Sequence, residues 1–377
     1  MTAITPATPG ELASALAAAA ENKQSITLGG RFSKNKMAGP IERSDVTVTT
    51  TGLARVLSYE PKDLTISVEA GMRWAELNRL LAENRQMVPL DPPFAGAATV
   101  GGVVSANCSG PRRRLYGTAR DLVIGMTFAT VEGKLVKTGG MVVKNVAGLD
   151  MGKLMIGSFG TLAAIAVVNF KLLPVPQVER LFLLSFDTLD ASIAARDRIL
   201  KSALQPAAID LLNAPAANTL GWSGNILAVQ AGGNAAVIDR YERELRQIGA
   251  VQIVDDAAAG LASIQEFTPW YLATHQNPAV VRISCALSQV GEVIRSVTGP
   301  AVARAGTGVC YAYFDNPEAA EAACSGREAI IEFAPEAQKP KLKLWPAPGP
   351  DFELMKRIKH MLDPEHLLNR GRLYRQL

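Results

Sequence analysis

Three glycine-containing clusters carry the residues whose types and spacing best suit chemistry. Gly29-Gly30-Arg31-Phe32-Ser33 follows a short apolar run, Thr99-Val100-Gly101-Gly102 opens a helical turn, and Gly157-Ser158-Phe159-Gly160-Thr161-Leu162 precedes an apolar strand-like segment. Glycine admits close approach of the backbone to a ligand, and successive N–H groups in a turn make a concave set of donors for a phosphate or diphosphate. Neither G-x-G-x-x-G nor G-x-x-x-x-G-K-[ST] occurs in these clusters, which argues against a dinucleotide-binding Rossmann unit and against a P-loop. Taken singly, each cluster reads first as an ordinary turn.

Groups for acid–base or metal chemistry are few. The chain has 3 histidines and 4 cysteines. His360 and His366 are separated by Asp363-Pro364, which breaks any helix that would bring them to one face, so they read as residues near a helix end and no metal site is expected. His275, beside Trp270 and Tyr271, is either a base at a substrate site or a loop histidine. Cys108, Cys285, Cys310 and Cys324 lack metal or redox spacing and read as inert thiols in a reducing compartment. Arg282 and the run Arg112-Arg113-Arg114 could grip a carboxylate through their planar forks, or could serve surface or diphosphate-facing roles.

The elements that must position these residues begin with Thr8-Pro9-Gly10-Glu11, a capping box with proline at the first helical position, which predicts a helix from Pro9 to Glu21. Strands are expected at Ser25 to Leu28, Asp45 to Thr50, Ala54 to Tyr59 and Leu64 to Glu69, then a helix from Arg73 to Glu83 with Trp74, Leu77, Leu80 and Leu81 on one face. Pro89 to Gly117 is rich in proline and glycine but interleaved with Val100, Val103, Val104 and Leu115, which marks a functional loop region rather than disorder. Leu122 to Thr130 and Lys134 to Thr138 read as a hairpin turned at Glu132-Gly133. Ala164 to Leu173 reads as a strand ending at Pro174-Val175-Pro176, a domain boundary.

Beyond Pro176 the order becomes βαββαβ: strand Leu181 to Phe186, helix Asp190 to Ala203, strands Ala208 to Asn213 and Asn225 to Ala231, helix Ala235 to Ile248, strand Val251 to Val254. A looser copy follows, with strand Val280 to Leu287, helix Gln289 to Val297, strands Ala301 to Arg304 and Val309 to Phe314, helix Pro317 to Ile331 and strand Lys341 to Leu344. Two such halves could join in one antiparallel sheet with helices on one face. The tail is a helix carrying Leu354, Ile358, Met361 and Leu362, followed by a polar end.

The chain has 377 residues, 48% of them apolar and 20% charged, enough for two or three packed domains. Its net charge of +4 is spread along the chain, so no nucleic-acid partner is indicated. The longest apolar stretch, around Ile156 to Val168, falls short of the roughly 18 residues needed to span a bilayer, and Met1 to Gly10 lacks the pattern of a secretory signal.

Taken together, the clusters resemble a known family. Ala98-Thr99-Val100-Gly101-Gly102, Asn107-Cys108-Ser109-Gly110, Tyr116-Gly117, Arg120-Asp121, Val143-Lys144-Asn145-Val146-Ala147-Gly148 and Gly157 to Leu162, in this order and spacing, resemble the FAD domain of the vanillyl-alcohol oxidase and p-cresol methylhydroxylase flavoproteins. Within that superfamily the likeness is to the FAD-binding E subunits of bacterial glycolate oxidase. Asn369-Arg370-Gly371-Arg372-Leu373-Tyr374 looks like the family's closing segment, with Arg370 where proline is usual.

The resemblance implies an α+β architecture: a two-part FAD-binding domain of the p-cresol methylhydroxylase type over 1–176, a cap over 177–345 built on an antiparallel sheet, and a closing segment, 346–377, that returns to the FAD domain. It implies that Leu28, Gly29, Gly30, Arg31, Phe32, Ser33, Thr99, Val100, Gly101 and Gly102 surround the FAD diphosphate. Pro92, Asn107, Gly110, Tyr116, Gly117, Gly160, Ile165 and Asn369 would complete the cofactor site. Relatives with a covalent flavin carry histidine in the first loop, where this chain has Arg31, Phe32 and Ser33, so the expected FAD is noncovalent. Trp222, Trp270 and Trp345 are core, or roof the isoalloxazine.

Oxidation of a 2-hydroxy acid needs a base for the hydroxyl and a cation for the carboxylate, and the sequence identifies no catalytic base. The scarcity of histidine favours an FAD-binding subunit of a glycolate-oxidase-type dehydrogenase complex. A second flavoprotein subunit would oxidise glycolate or D-lactate and an iron–sulfur subunit would carry electrons onward. The complex would be cytoplasmic, or peripheral at the inner membrane. The alternatives are a self-sufficient FAD-dependent oxidoreductase of a small hydroxy acid or alcohol, and an FAD-fold scaffold with an assembly role.

Overall fold

The computed structural model describes residues 2–40, 42–141 and 150–377. The chain divides into two units: Met1–Cys108 with Thr118–Val175 and Ala347–Leu377, and Ser109–Gly117 with Pro176–Pro346.

The first unit opens with β1 (Thr2–Ile4) and α1 (Pro9–Glu21). Thr8 caps α1 by accepting the Glu11 N–H, as the capping box predicts, and the Glu11 carboxylate accepts the N–H of Ala7, one residue before the cap. Leu12, Ala13, Leu16 and Ala19 bury the inner face of α1. β1, β3 (Val46–Thr49) and β2 (Ile26–Gly29) form a parallel sheet in that order, and β2 empties straight into the first glycine cluster. Asp45 ties the two neighbouring strands at their starts by accepting from both the N–H and the hydroxyl of Ser25.

A second, antiparallel sheet follows the order β4 (Val56–Glu60), β5 (Thr65–Glu69), β8 (Ala164–Lys171), β6 (Val123–Ala129), β7 (Leu135–Gly139). The hairpin β6–β7 matches the expected pairing. Strand β8 is buried on both faces: Ala164 and Ala166 pack with α1, β2 and β3, whereas Ile165, Val168 and Phe170 pack with α2 (Trp74–Ala82) and α3 (Val100–Ser105). This explains why its sequence is a nearly unbroken apolar run.

The second unit is an eight-stranded, wholly antiparallel sheet built from two βαββαβ halves. The first half comprises β9 (Val178–Phe186), α4 (Leu189–Lys201), β10 (Ala208–Leu212), β11 (Asn225–Gly233), α5 (Ala235–Arg246) and β12 (Val251–Val254). Helices α6 (Ala257–Gln265) and α7 (Phe267–Thr274), which the sequence reading did not anticipate, lead to the second half: β13 (Ala279–Ser284), α8 (Val290–Arg295), β14 (Ala301–Arg304), β15 (Val309–Phe314), α9 (Pro317–Cys324) and β16 (Ala329–Phe333). The strand order β12-β9-β11-β10-β14-β15-β13-β16 reads the same from either edge, each half contributing its second strand to the central β10–β14 pair. The α+β class and the joined antiparallel sheet are as expected.

Three expectations are corrected. The helix expected over Pro317 to Ile331 stops at Cys324, because Gly326 takes φ +70° and turns the chain into Ala329-Ile330-Ile331-Glu332-Phe333. β-Branched residues there pack on β13, so the last strand of the second half is this one, not Lys341 to Leu344, which follows a 3-10 turn at Lys339–Lys341 and forms no strand. Ser109–Gly117, expected in the first domain, belongs with the second unit: the Arg114 guanidinium donates to the Pro206 carbonyl and to Gln205.

The third correction concerns the closing segment, where α10 (Phe352–Leu362) buries Phe352 and Lys359 while Leu354 and Met361 face solvent, so its apolar stripe is not its packing face. Lys359 is buried because its Nζ donates to the Asp363 carboxylate (2.6 Å) and to the Thr161 carbonyl (2.7 Å), and Asp363 in turn accepts the N–H groups of Leu367 and Leu368. Burial lowers the Lys359 pKa and Asp363 works against that shift. The chain after Asp363 then lies beside β2: Ile26 N–H donates to Leu367 O, and Asn369 N–H to Ile26 O.

Candidate functional site

An open cleft in the first unit is lined by Leu28, Gly29, Gly30, Arg31, Phe32, Ser33, Lys34, Asn35, Thr99, Gly102, Ser105, Ala106, Phe159, Asn369 and Arg372. Half of the residues that the resemblance assigned to the cofactor come together here, from three separate stretches of chain. The amide groups of Arg31, Phe32 and Ser33 have no hydrogen-bond acceptor among the described residues, and Phe32 takes φ +55°, so the turn presents successive open donors. A Cβ on Gly30 would lie 2.2 Å from Thr99 Oγ1, so only glycine lets the first loop meet the second.

The closing segment holds this loop in shape. Asn369 accepts the Leu28 N–H (2.8 Å) and donates to the carbonyls of Leu28 (3.0 Å) and Phe159 (2.8 Å). Arg372 donates to the carbonyls of Asn35 and Lys34, with its guanidinium 5.5 Å from the centre of the Phe159 ring. Gly160, at φ +69°, stands behind Asn369, where a Cβ would lie 2.8 Å from the Asn369 amide nitrogen. Arg31, Lys34 and Arg372 give the cleft three cations, and no Asp or Glu lines it. Open amides and cations without carboxylates suit a dianionic group such as the FAD diphosphate.

The second cluster works differently from what its glycines suggest. Val100 N–H donates to Met72 O and Gly101 N–H to Ala70 O, while Gly102 N–H reaches its own cap, Thr99 Oγ1, at 3.3 Å. Val100 and Gly101 are therefore packing residues, Gly101 against Ala70, and the cleft sees only Thr99 and Gly102. Pro92, Asn107 and Ile165 do not line this cleft; Ile165 sits in β8 opposite Phe128 with its side chain in the core. Gly110, Tyr116 and Gly117 fall in the segment grouped with the second unit. Val143-Lys144-Asn145-Val146-Ala147-Gly148 lies outside the described residues. Lys34, Phe159 and Arg372 were not singled out as cofactor residues, although each lies inside or next to a cluster that was.

The second unit carries charge on one face of its sheet. Ile209 and Leu211 on β10 point into the helix-covered core, whereas Asp210 between them faces the other way. It lies opposite Arg304 on β14, and Arg304 Nη1 donates to Asp210 Oδ2 at 3.1 Å with both side chains buried. Burial works against the charge on Arg304, but Asp210 together with Tyr311 and Tyr313 outweighs it and raises the guanidinium pKa. The Arg304 guanidinium also lies 5.6 Å from the Tyr311 ring centre. Arg282, the candidate carboxylate clamp, is held by Glu332 at 2.7 Å, and burial raises the Glu332 pKa against that pairing.

His275 closes the C-terminal end of α7. Its Nδ1 is 3.0 Å from Tyr271 O, its ring stacks on Tyr271 at 3.8 Å, and its Nε2 lies 3.9 Å from Asp315. It thus ends a helix, where the sequence left a choice between a loop histidine and a substrate-site base. Trp270 is exposed and Trp345 packs against the core. His360 and His366 are both exposed, and among the described residues no group of three or more His, Cys, Asp or Glu could hold a metal. Among the same residues no helix is long and apolar enough to cross a membrane.

With the geometry in place, comparison with known proteins is direct. Residues 2–139 match the FAD binding domain family, and residues 346–373 match the C-terminal domain of FAD linked oxidases. The first match covers β1 to β7 with the first two glycine clusters, and the second covers the closing segment that clamps the first loop. The chain is similar to the glycolate oxidase subunit GlcE of Escherichia coli (strain K12), 34% identical over 42% of this chain and 45% of that protein. It is similar to the glycolate oxidase subunit GlcD of Bacillus subtilis (strain 168), 30% identical over 43% and 34%, and to the mitochondrial D-lactate dehydrogenase [cytochrome] of Arabidopsis thaliana, 32% identical over 45% and 30%. The matched stretch thus spans less than half the length of each of these relatives.

A solved structure of alkyldihydroxyacetonephosphate synthase superposes with a TM-score of 0.73 at 17% identity, covering 97% of this chain and 75% of that one, which establishes the fold. Residues 2–139 are thus an FAD-binding domain, whose cofactor is FAD.

Proposed function

We propose that the protein is the FAD-binding subunit of a glycolate-oxidase-type 2-hydroxy-acid dehydrogenase complex. A second flavoprotein subunit and an iron–sulfur subunit would be its partners. The observation that carries this reading is the cleft at Leu28–Asn35, with open amides, three cations and a closing segment clamped over its loop, in a chain similar to glycolate oxidase subunits. Bound there, FAD would supply a two-electron acceptor. Arg31, Phe32 and Ser33 would donate their N–H groups to diphosphate oxygens, Lys34 and Arg372 would balance the charge, and Gly29 and Gly30 would allow the contact. Thr99 and Gly102 would form the opposite wall. Val100, Gly101 and Gly160 would shape the loops, and Pro92 and Asn107 would extend the site within the first unit. No histidine lies near the first loop, which supports noncovalent attachment. The complex would work in the cytoplasm or at the inner membrane's surface.

A second reading, that the chain turns over a small hydroxy acid by itself, is favoured by the buried Asp210–Arg304 pair beside Tyr311, since such a guanidinium can take a carboxylate. The visible spectrum of the purified chain, before and after anaerobic addition of glycolate or D-lactate, separates the two. A flavin spectrum that stays oxidised until the partner subunits are added supports the complex. Bleaching of the isolated chain sinks it in favour of the autonomous enzyme, and a chain purified without flavin and unable to take up FAD overturns both.

A further inference from the structure

The four cysteines are not equivalent. Cys108 donates its thiol to the Ala106 carbonyl and Cys324 to the Ala320 carbonyl, both within their own local backbone. Cys285 and Cys310 instead meet each other. Strands β13 and β15 pair with Ile283 opposite Cys310 and Ser284 opposite Val309, and the ladder runs one step further, the Cys285 N–H donating to Gly308 O at 2.9 Å. Side chains alternate along a strand, so Cys285 and Cys310 are diagonal neighbours on one face of the sheet. Both pack in the same core cluster, and each acts on the other's protonation. Gly308 makes the approach possible: it takes φ +73°, and a Cβ there would lie 2.1 Å from the Cys285 carbonyl oxygen.

The two thiols differ in access and in charge. Cys310 is buried in the core, whereas Cys285 is half-buried at the strand end. The Arg196 guanidinium, held by Asp197 and the Leu287 carbonyl, and Arg327 act on Cys285, with Glu292 opposing them. Cys310, then these arginines, pull the Cys285 thiol down to about 7 against burial and Glu292. Cys285 and burial push Cys310 up, so it keeps its proton. A part-exposed, readily ionised thiol diagonal to a buried thiol on one sheet face is the arrangement of an attacking and a resolving cysteine.

We propose that Cys285 and Cys310 are a reversible redox modification site that takes hydrogen peroxide, or another peroxide, as its two-electron oxidant. The Cys285 thiolate attacks one peroxide oxygen. The O–O bond breaks, and the departing hydroxide takes a solvent proton and leaves as water, with Cys285 now a sulfenic acid. The Cys310 sulfur attacks the Cys285 sulfur, the S–O bond breaks and the S–S bond forms, and the hydroxyl leaves with the Cys310 proton as a second water. Two thiols are oxidised and one peroxide is reduced, giving a disulfide and two waters. Closure needs the two sulfurs to approach to about 2 Å, by side-chain rotation and a shift at the end of a strand.

The full chain, treated with one equivalent of hydrogen peroxide at pH 7.5 and digested without reduction, tests this. The expected product is a single crosslink joining the Cys285 and Cys310 peptides, lighter by two hydrogens and reversed by dithiothreitol, with Cys108 and Cys324 still free. Iodoacetamide should label Cys285 in the untreated protein at least tenfold faster than any other cysteine, with a midpoint below that of a free thiol. Cys310→Ala should leave Cys285 as a sulfenic acid that dimedone traps. Cys285 labelling no faster than Cys108, a different crosslink, or oxidation of Cys285 with no disulfide in the wild-type chain would each overturn the proposal. The wild-type measurements decide it even if the alanine variant fails to fold.

Discussion

The cleft of the first unit and the charged sheet face of the second make opposite use of the chain. In the cleft the donors are main-chain amides at Arg31, Phe32 and Ser33, and the decisive residues are those with no side chain to obstruct them. On the sheet face the charge is carried by side chains, Asp210 with Arg304 and Arg282 with Glu332, set between core residues by the alternation of the strands. A site made of backbone is sensitive to any added Cβ. A site made of buried side-chain charge is sensitive to the loss of a single partner.

That contrast can be broken from either side. The largest expected effect is that of Asp210→Ala, which leaves Arg304 buried without its partner and should destabilise the second unit by about 3–5 kcal/mol. Thermal unfolding should report the loss, while flavin content per folded chain stays at the wild-type level; a loss of flavin without a loss of stability would erase the distinction between the two regions.

Gly102→Asp is next. A Cβ at Gly102 meets only Thr99 Oγ1 at 3.1 Å, so the fold should accept it with little adjustment, but the carboxylate would stand in a cleft that now has none. FAD affinity should fall by about a hundredfold or more, read by fluorescence titration of the apoprotein, with the melting temperature of the apoprotein nearly unchanged.

The smallest effect is expected at Asp45, whose hydrogen bonds from the Ser25 side chain and N–H hold its carboxyl below the usual 3.8. A depressed folded value means that its contribution is present above pH 3.8 and is lost as pH falls through the lower folded value. Asp45→Asn should remove a shallow part of the acid-side loss of stability and leave the melting temperature at pH 7 slightly lower. An unchanged acid limb would show that Asp45 does not brace β2 and β3.

Much of this was legible in the sequence because it is local. The Pro9–Glu21 helix follows from its capping box, and Val251–Val254, Ala301–Arg304 and Val309–Phe314 are bounded by turn residues on both sides. Leu28 to Ser33, Thr99, Gly102 and Asn369 were named from motifs and converge on one cleft. The misreadings share a cause. Pro317 to Ile331 has a helical composition throughout, yet Ile330 and Ile331 gain more from packing on β13 than from extending a helix past Gly326. Helix α10 looked amphipathic on Leu354 and Met361, but a buried Lys359 bonded to Asp363 and Thr161 O sets its inner face. Val100 and Gly101 looked like donors until the carbonyls of Met72 and Ala70 took their N–H groups.

By itself, then, the amino-acid order determined where turns, caps and strands fall, and which loops can bring backbone close to an anion, since φ preferences and side-chain alternation act over a few residues. Only the tertiary structure decided which amides stay open, that the closing segment clamps Leu28 and Phe159, that Asp210 pairs with Arg304 and that Cys285 meets Cys310. Each of these depends on partners far apart in the chain, and for buried polar groups the cost of lacking a partner, rather than any local preference, selects the arrangement.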